Sequence, residues 1–153
     1  MISLEKGNKA PSFKLKNEKD EVVQLKDYAG KRLALYFYPA DDTLGCTKQA
    51  CNLTDNFKAL KKENIHVLGV SPDSVESHLA FKKKFKISFP LLADENMKAI
   101  NAYGVWGEKN LYGNKFMGLK RTTFLIDEEG KIFKVIKGVR TAAHAEQILK
   151  AWT

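Results

Sequence analysis

A single α/β domain, with a sheet covered by helices, is the fold class this sequence predicts, and three observations predict it. The 153 residues are enough for one domain with a substantial core, and 44% of them are hydrophobic. Short β-branched or aromatic runs alternate with segments whose apolar residues recur at helical spacing. No linker-like stretch, internal repeat or shift of composition divides the chain, so residues 1–153 are expected to form one unit.

The elements follow in order. Met1 to Pro11 is polar and reads as an irregular lead-in. Phe13-Lys14-Leu15-Lys16 alternates apolar and polar, and Asn17-Glu18-Lys19-Asp20 supplies turn chemistry before Val22-Val23, which predicts an N-terminal β-hairpin. Leu25 to Tyr28 forms one helical turn ending at Gly30. Leu33-Ala34-Leu35-Tyr36-Phe37-Tyr38 is continuously apolar and stops at Pro39, as a central strand does. From Cys46 to Glu63, the positions Cys46, Ala50, Leu53, Phe57 and Leu60 share one helical face and predict a long amphipathic helix.

Ile65 to Ser71 is a second buried strand. Ser74 caps a helix running past Phe81 and Phe85, and Lys82-Lys83-Lys84 reads as a solvated face at its far end, where the helix dipole favours positive charge. Leu91-Leu92 makes a brief strand, Asp94 a turn, and Glu95 to Tyr103 a helix before Gly104. Trp106 to Leu119 is interrupted by glycine and shows no sustained period, so it reads as a loop. Thr122 to Ile126 and Ile132 to Ile136 form a hairpin around Asp127-Glu128-Glu129-Gly130, and Thr141 caps a final helix packing through Ala145, Ile148, Leu149 and Trp152.

Charge narrows the function classes. Lys and Arg number 26 against 18 Asp and Glu, a formal charge of +8. Only Arg32, Arg121 and Arg140 carry the rigid fork that reads base edges, so no specific nucleic-acid partner is expected. No run of about 18 apolar residues suggests a membrane span, and the opening residues lack the pattern of a secretory signal, which predicts a cytoplasmic protein. Two cysteines and the scattered His66, His78 and His144 form neither a disulfide framework nor a zinc pattern, and each histidine is expected to serve structure. Neither glycine-rich nucleotide signature is present.

Chemistry concentrates in Tyr36 to Cys51. Cys46 lies where a loop turns into a helix, and unpaired backbone N–H groups there favour a thiolate, the form that attacks a peroxide oxygen and becomes sulfenic acid. Thr43, three residues earlier, offers a hydroxyl able both to donate and to accept. Asp41 and Asp42 have no useful mutual geometry as an acid/base pair and are expected to be solvated or to sit at the helix end. Trp106, Tyr112, Phe116 and Met117 are candidates to border an apolar-hydroperoxide pocket or to contact a partner, with packing at least as well supported.

Cys51 follows Cys46 by five residues, a rise of about 7.5 Å and a turn of about 140° on a regular helix. The Cα separation is then about 8.6 Å, beyond the roughly 7 Å that an undistorted disulfide spans, so pairing requires local unwinding. Residue types and spacing leave several readings open: peroxide chemistry, two small buried hydrophobes, regulatory oxidation that exposes a binding surface, and general thiol–disulfide exchange.

The combination Tyr36-Phe37-Tyr38-Pro39, Asp42-Thr43, Gly45-Cys46-Thr47, Cys51 and Arg121-Thr122-Thr123-Phe124-Leu125-Ile126-Asp127 resembles the peroxiredoxins, in particular their bacterioferritin-comigratory or Q-type branch. Likeness of general order extends over almost the whole chain, including Pro11-Ser12-Phe13 and Val67-Leu68-Gly69-Val70-Ser71. It implies a thioredoxin-like fold, a central mixed sheet flanked by helices, and reduction of hydrogen peroxide and organic hydroperoxides without haem, flavin or metal. By motif position it implies Cys46 as peroxidatic cysteine, Cys51 as resolving cysteine, and Pro39, Thr43 and Arg121 as the groups that shape the pocket and organise thiolate and peroxide. Thioredoxin is the implied reductant, and a monomer is expected, with weak dimerisation as the alternative. Related chains commonly carry Pro where this one has Leu44. That change is expected to alter the loop, or to allow a new apolar contact, while activity persists.

Overall fold

The computed structural model describes residues 4–153. Its seven-stranded mixed sheet has the order β2-β1-β5-β4-β3-β8-β9, built from β1 (Lys14–Lys16), β2 (Val22–Gln24), β3 (Arg32–Phe37), β4 (Ile65–Ser71), β5 (Leu91–Ala93), β8 (Thr122–Ile126) and β9 (Ile132–Ile136). The β3–β4 and β4–β5 pairs are parallel, and the hairpins β1–β2 and β8–β9 are antiparallel. β3 lies between β4 and β8, so both its edges are paired, as its continuous apolar run requires. The expected N-terminal hairpin is present, followed by a 3₁₀ turn at Leu25–Tyr28.

Alternation along β3 divides the core in two. Ala34, Tyr36 and Tyr38 join Cys46, Ala50 and Leu53 of α1 (Leu44–Asp55), Leu60 of α2 (Phe57–Lys62), Phe81 of α3 (Val75–Phe85), and Ala145 and Ile148 of α5 (His144–Ala151). Leu33, Leu35 and Phe37 face the other way, onto Ala99 and Ile100 of α4 (Lys98–Ala102), Tyr103 and Phe124. Burial on both faces fixes the register of β3, because a slip of one residue would exchange the two sets.

Six details differ from the sequence reading. The long helix breaks at Asn56, whose side-chain Nδ2 and backbone N–H both donate to the Asn52 carbonyl, at 2.8 and 3.2 Å, ending α1 before α2 begins. α4 is shorter than expected: Met97 is left-handed at φ 58°, and Asp94 Oδ2 accepts from the Ile100 N–H at 2.7 Å. Trp106 to Leu119 is a hairpin, β6 (Trp106–Leu111) paired with β7 (Asn114–Leu119). Its two turn residues, Tyr112 and Gly113, both have positive φ, the twist that suits a two-residue hairpin loop.

Thr141 does not cap α5; it begins a 3₁₀ turn, Thr141–Ala143, and the cap comes from Asn52, whose Oδ1 accepts from the Ala145 N–H at 2.7 Å. Lys82 is not merely solvated, since its Nζ lies 3.4 Å from the buried Glu18 carboxylate and donates to the Phe89 carbonyl. The lead-in is tied down as well: Gly7 N–H donates to Ile132 O and Ala10 N–H to Gly130 O; its first three residues lie outside those described.

Candidate active site

β3 ends at Phe37; the buried Tyr38 follows, and Pro39 to Thr43 then leads to α1. This loop is held by a buried network. Asp41 accepts from the Tyr38 hydroxyl at 2.6 Å and the Ser77 hydroxyl at 2.7 Å, and its Oδ2 lies 2.8 Å from His78 Nδ1. The Asp41 N–H donates to Asp73 Oδ2 at 2.8 Å, and the other His78 nitrogen faces the Leu92 carbonyl at 2.9 Å. Each ring nitrogen of His78 thus faces an oxygen, Asp41 Oδ2 on one side and the Leu92 carbonyl on the other. Burial works to raise the Asp41 carboxyl, but the hydrogen bond and charge of His78, with the Tyr38 and Ser77 hydroxyls, outweigh it and hold the group below its ordinary range.

Asp41 is therefore an internal anchor and not a solvated loop charge, whereas Asp42 is exposed, left-handed at φ 58°, and paired with Lys84 at 2.8 Å. Asp41, Asp73 and His78 place three ligand-type atoms within 4.8 Å of one another, and the hydrogen bonds just described already occupy them.

Thr43 is the N-cap of α1, with extended backbone at φ −91° and ψ 158°. The first intrahelical bond runs from the Thr47 N–H to the Thr43 carbonyl at 2.8 Å. The N–H groups of Leu44, Gly45 and Cys46 therefore precede the helical ladder and gather at its positive end, where no acidic side chain competes for them. Cys46 is 1% exposed, sealed beneath this first turn. The Thr43 hydroxyl donates to the Ala40 carbonyl at 3.2 Å, and Pro39 is half-buried at the start of the loop.

Leu44 occupies the first helical position, where Pro is well tolerated because that N–H has no helical partner. Its side chain is 76% exposed, so the expected new apolar contact does not form.

Arg121 arrives from the start of β8, the strand paired with β3, and closes the site from the side. Its Nη2 donates to Cys46 Sγ at 3.3 Å and its Nη1 to Gln49 Oε1 at 2.6 Å, so one planar fork engages both groups. Gly45 leaves room for this approach: a Cβ there would lie 3.1 Å from Arg121 Nη2, close enough that the guanidinium would have to shift by a few tenths of an ångström. Gln49 sits three residues after Cys46 on the same helical face and was legible from that spacing, yet the sequence reading does not include it. Its Nε2 and the Tyr36 hydroxyl are buried without a hydrogen-bond partner among the described residues. Burial, reinforced by the adjacent Cys46, pushes the Tyr36 phenol well above its ordinary range.

Beneath Arg121, Thr123 Oγ1 lies 2.7 Å from His144 Nε2, and His144 Nδ1 lies 2.9 Å from Gln147 Oε1. Burial lowers the His144 pKa to about 4, with Arg121 pulling the same way against Gln147 and Glu146. The ring is consequently neutral near pH 7, donating from Nδ1 to Gln147 and accepting from the Thr123 hydroxyl. His66, the third histidine, packs edge-on against Tyr28.

Cys46 and Cys51 are both free thiols on the continuous helix α1. Cys51 is half-buried, and burial followed by the Asp55 charge raises its pKa. Trp106 packs against the core, whereas Tyr112 is 95% exposed, and Phe116 and Met117 are exposed as well. A cavity of about 580 Å³ lined by Pro11, Leu25, Tyr28, Leu33 and Ile126 lies at the opposite end of β3 and shares no residue with the site.

Known proteins resemble this chain over nearly its whole length. The AhpC/TSA family model matches residues 6–135. A putative peroxiredoxin bcp of Coxiella burnetii is 45% identical over 148 residues, covering 97% of this chain and 98% of that protein. Peroxiredoxin Bcp of Bacillus subtilis is 42% identical over 149 residues, covering 97% and 95%. Among solved structures, peroxiredoxin Q of Xanthomonas campestris superposes with a TM-score of 0.85 at 36% identity over 92% of this chain and 89% of that one. A bacterioferritin comigratory protein of the same organism, described in terms of its alkyl peroxide reduction activity, gives 0.85 at 35% identity over 91% and 88%. The sulfur, guanidinium and helix N-terminus thus sit in a thioredoxin-like fold shared over nearly the full length of these relatives, and the chain belongs to the AhpC/TSA family as a peroxidase of the Bcp/Q-type peroxiredoxins.

Proposed function

We propose that Cys46 is the peroxidatic nucleophile for hydrogen peroxide and organic hydroperoxides, and that Cys51 resolves its oxidised form. The observation that carries this reading is the guanidinium of Arg121 set 3.3 Å from a buried sulfur at a helix N-terminus. A fixed positive charge and three unladdered N–H groups stabilise negative charge on that sulfur without reorganisation.

In the first step Cys46 Sγ attacks the distal oxygen of ROOH and the O–O bond breaks. The departing RO⁻ takes up one proton, equivalent to the one the thiol released on ionising, and leaves as ROH, while the sulfur is oxidised to sulfenic acid. Arg121 steadies the charge passing from sulfur to the departing oxygen, and the Thr43 oxygen retains lone pairs that can accept a hydroxyl hydrogen of the peroxide. Gln49 fixes the guanidinium plane, and its buried Nε2 is a donor suited to an oxygen on the sulfur. Pro39, rigid in φ and half-buried, limits access of water.

In the second step the Cys51 thiol displaces hydroxide from the sulfenic sulfur, and water and the Cys46–Cys51 disulfide result. Both sulfurs lie on one intact helix, so the segment between them unwinds for the bond to form. A dithiol protein of the thioredoxin class then reduces the disulfide by exchange. The working unit is a monomer in the cytoplasm, where such reductants are maintained; among the described residues no helix is long and apolar enough to cross a membrane.

The test is steady-state peroxide consumption coupled through thioredoxin and its reductase to NADPH oxidation. Catalytic turnover abolished by Cys46→Ser and reduced at least tenfold by Cys51→Ser supports the reading. Turnover that survives Cys46→Ser contradicts it.

A further inference from the structure

Asn52, the residue after Cys51, is tied down from three directions. Its Nδ2 donates to the Ala142 carbonyl at 3.0 Å and its Oδ1 accepts from the Ala145 N–H at 2.7 Å, so one side chain joins α1 to the start of α5 across ninety residues of sequence. Its own carbonyl accepts from both the side chain and the backbone of Asn56, where α1 ends. The α5 terminus depends on the contact, because Ala143, at its N-cap, has no side chain able to satisfy the first N–H groups. Leu53, the next residue, is fully buried.

We propose that Asn52 is a positioning residue that sets the rate of disulfide closure, by acting as the latch on the part of α1 that must unwind. The proposal rests on the reading of Cys51 as the resolving cysteine. Consecutive Cα atoms are about 3.8 Å apart, so Cys51 cannot travel toward Cys46 while Asn52 stays fixed unless nearly all the motion is forced into one peptide. Closure from a helical separation of about 8.6 Å to less than roughly 7 Å therefore draws Asn52 off Ala142 and Ala145. Removing the latch lowers the cost of opening.

The latch also controls a branch in the chemistry. From the sulfenic acid, either α1 unwinds and Cys51 attacks, giving disulfide and water, or α1 stays helical until a second ROOH arrives, giving sulfinic acid and ROH. Slow opening lengthens the time open to the second reaction. Asn52 thereby tunes how much peroxide the protein survives, and closure releases the first turn of α5.

The experiment is stopped-flow oxidation of the reduced full chain by hydrogen peroxide, with acid-quenched intact mass resolving sulfenic acid, disulfide and sulfinic acid. Asn52→Ala is expected to raise the rate of disulfide closure about tenfold relative to the rate of sulfenic acid formation, as loss of a net hydrogen bond or so would give. The peroxide excess giving half sulfinic acid rises in proportion. Asn52→Asp, which keeps the acceptor for Ala145 and loses the donor to Ala142, falls between the two. In a Cys51→Ser background, Asn52→Ala leaves the sulfenic acid lifetime unchanged, which separates a latch on resolution from general loosening of the Cys46 pocket. Equal or slower closure in both Asn52 variants overturns the proposal, as does an effect persisting without Cys51. If the unsubstituted chain forms no intramolecular disulfide at all, the assignment of Cys51 fails instead.

Discussion

Replacing Arg121 by Met, and separately by Lys, probes the contact on which the chemistry depends. The Met variant keeps a long apolar stem and deletes the charge that stands 3.3 Å from Cys46 Sγ. At that distance the pair interaction is about 1.3 kcal/mol with water-like screening and about 5 kcal/mol at the effective dielectric of about 20 found near protein surfaces. The sulfur is buried and Arg121 half-buried, so the loss falls between these values, a fall of roughly ten- to several-thousand-fold in the second-order rate with hydrogen peroxide. Lys restores charge, but its point charge cannot hold Gln49 and the sulfur at once, so it recovers part of the rate only. Stopped-flow peroxide consumption under pseudo-first-order conditions reads these rates directly, with circular dichroism confirming the fold. An Arg121→Met variant within threefold of the parent chain means the guanidinium does not stabilise the reacting charge.

Three further outcomes follow from the same geometry. Gly45→Ala puts a Cβ 3.1 Å from Arg121 Nη2 and shifts the guanidinium by a few tenths of an ångström against the sulfur, so the peroxide rate drops while the melting temperature holds to within a few degrees; a full-rate variant contradicts the reason given for glycine there. Asp41→Asn removes a buried carboxylate that the Tyr38 and Ser77 hydroxyls and the His78 ring all engage, and costs about 3–5 kcal/mol, measured as a lower denaturant midpoint, together with slower peroxide reaction as the loop slackens. His144 contributes acid sensitivity: with a folded pKa of about 4 against 6.5 unfolded, the unfolded chain binds the extra proton, so stability is unaffected above about pH 6.5 and is lost as pH falls toward 4, by on the order of 3 kcal/mol. Urea melts between pH 7 and 4.5 check this, since His144→Asn removes that part of the slope and an unchanged slope refutes it.

Most of the fold was legible because its strands are buried on one or both faces. Leu33 to Tyr38 and Ile65 to Ser71 announce themselves as apolar runs, and their sheet positions follow from burial on both sides. The β6–β7 hairpin was not legible, because exposed Tyr112, Phe116 and Met117 break the alternation that marks a half-buried strand, leaving only the turn at Tyr112-Gly113 as a signal. The break at Asn56 and the capping of α5 by Asn52 depend on side-chain amides competing for backbone partners, one of them ninety-three residues away, which helical periodicity cannot register.

The site divides in the same way. Cys46 and its place at a helix N-terminus are local features that pattern reveals, whereas Arg121 is brought to the sulfur by the antiparallel β3–β8 pairing. The residues alone gave Arg121 no role, and only resemblance to a family supplied one. Asp41 illustrates the limit: a loop carboxylate reads as solvated until α3 delivers Ser77 and His78 from thirty-six and thirty-seven residues away.

Treating the fully reduced chain with one equivalent of hydrogen peroxide and weighing the intact product decides whether Cys46 and Cys51 divide the work as described. The parent chain is expected to lose two hydrogens, Cys51→Ser to gain one oxygen on Cys46, and Cys46→Ser to stay at its starting mass. A Cys46→Ser chain oxidised as fast as the parent, or a parent chain that gains oxygen and forms no disulfide, contradicts that division.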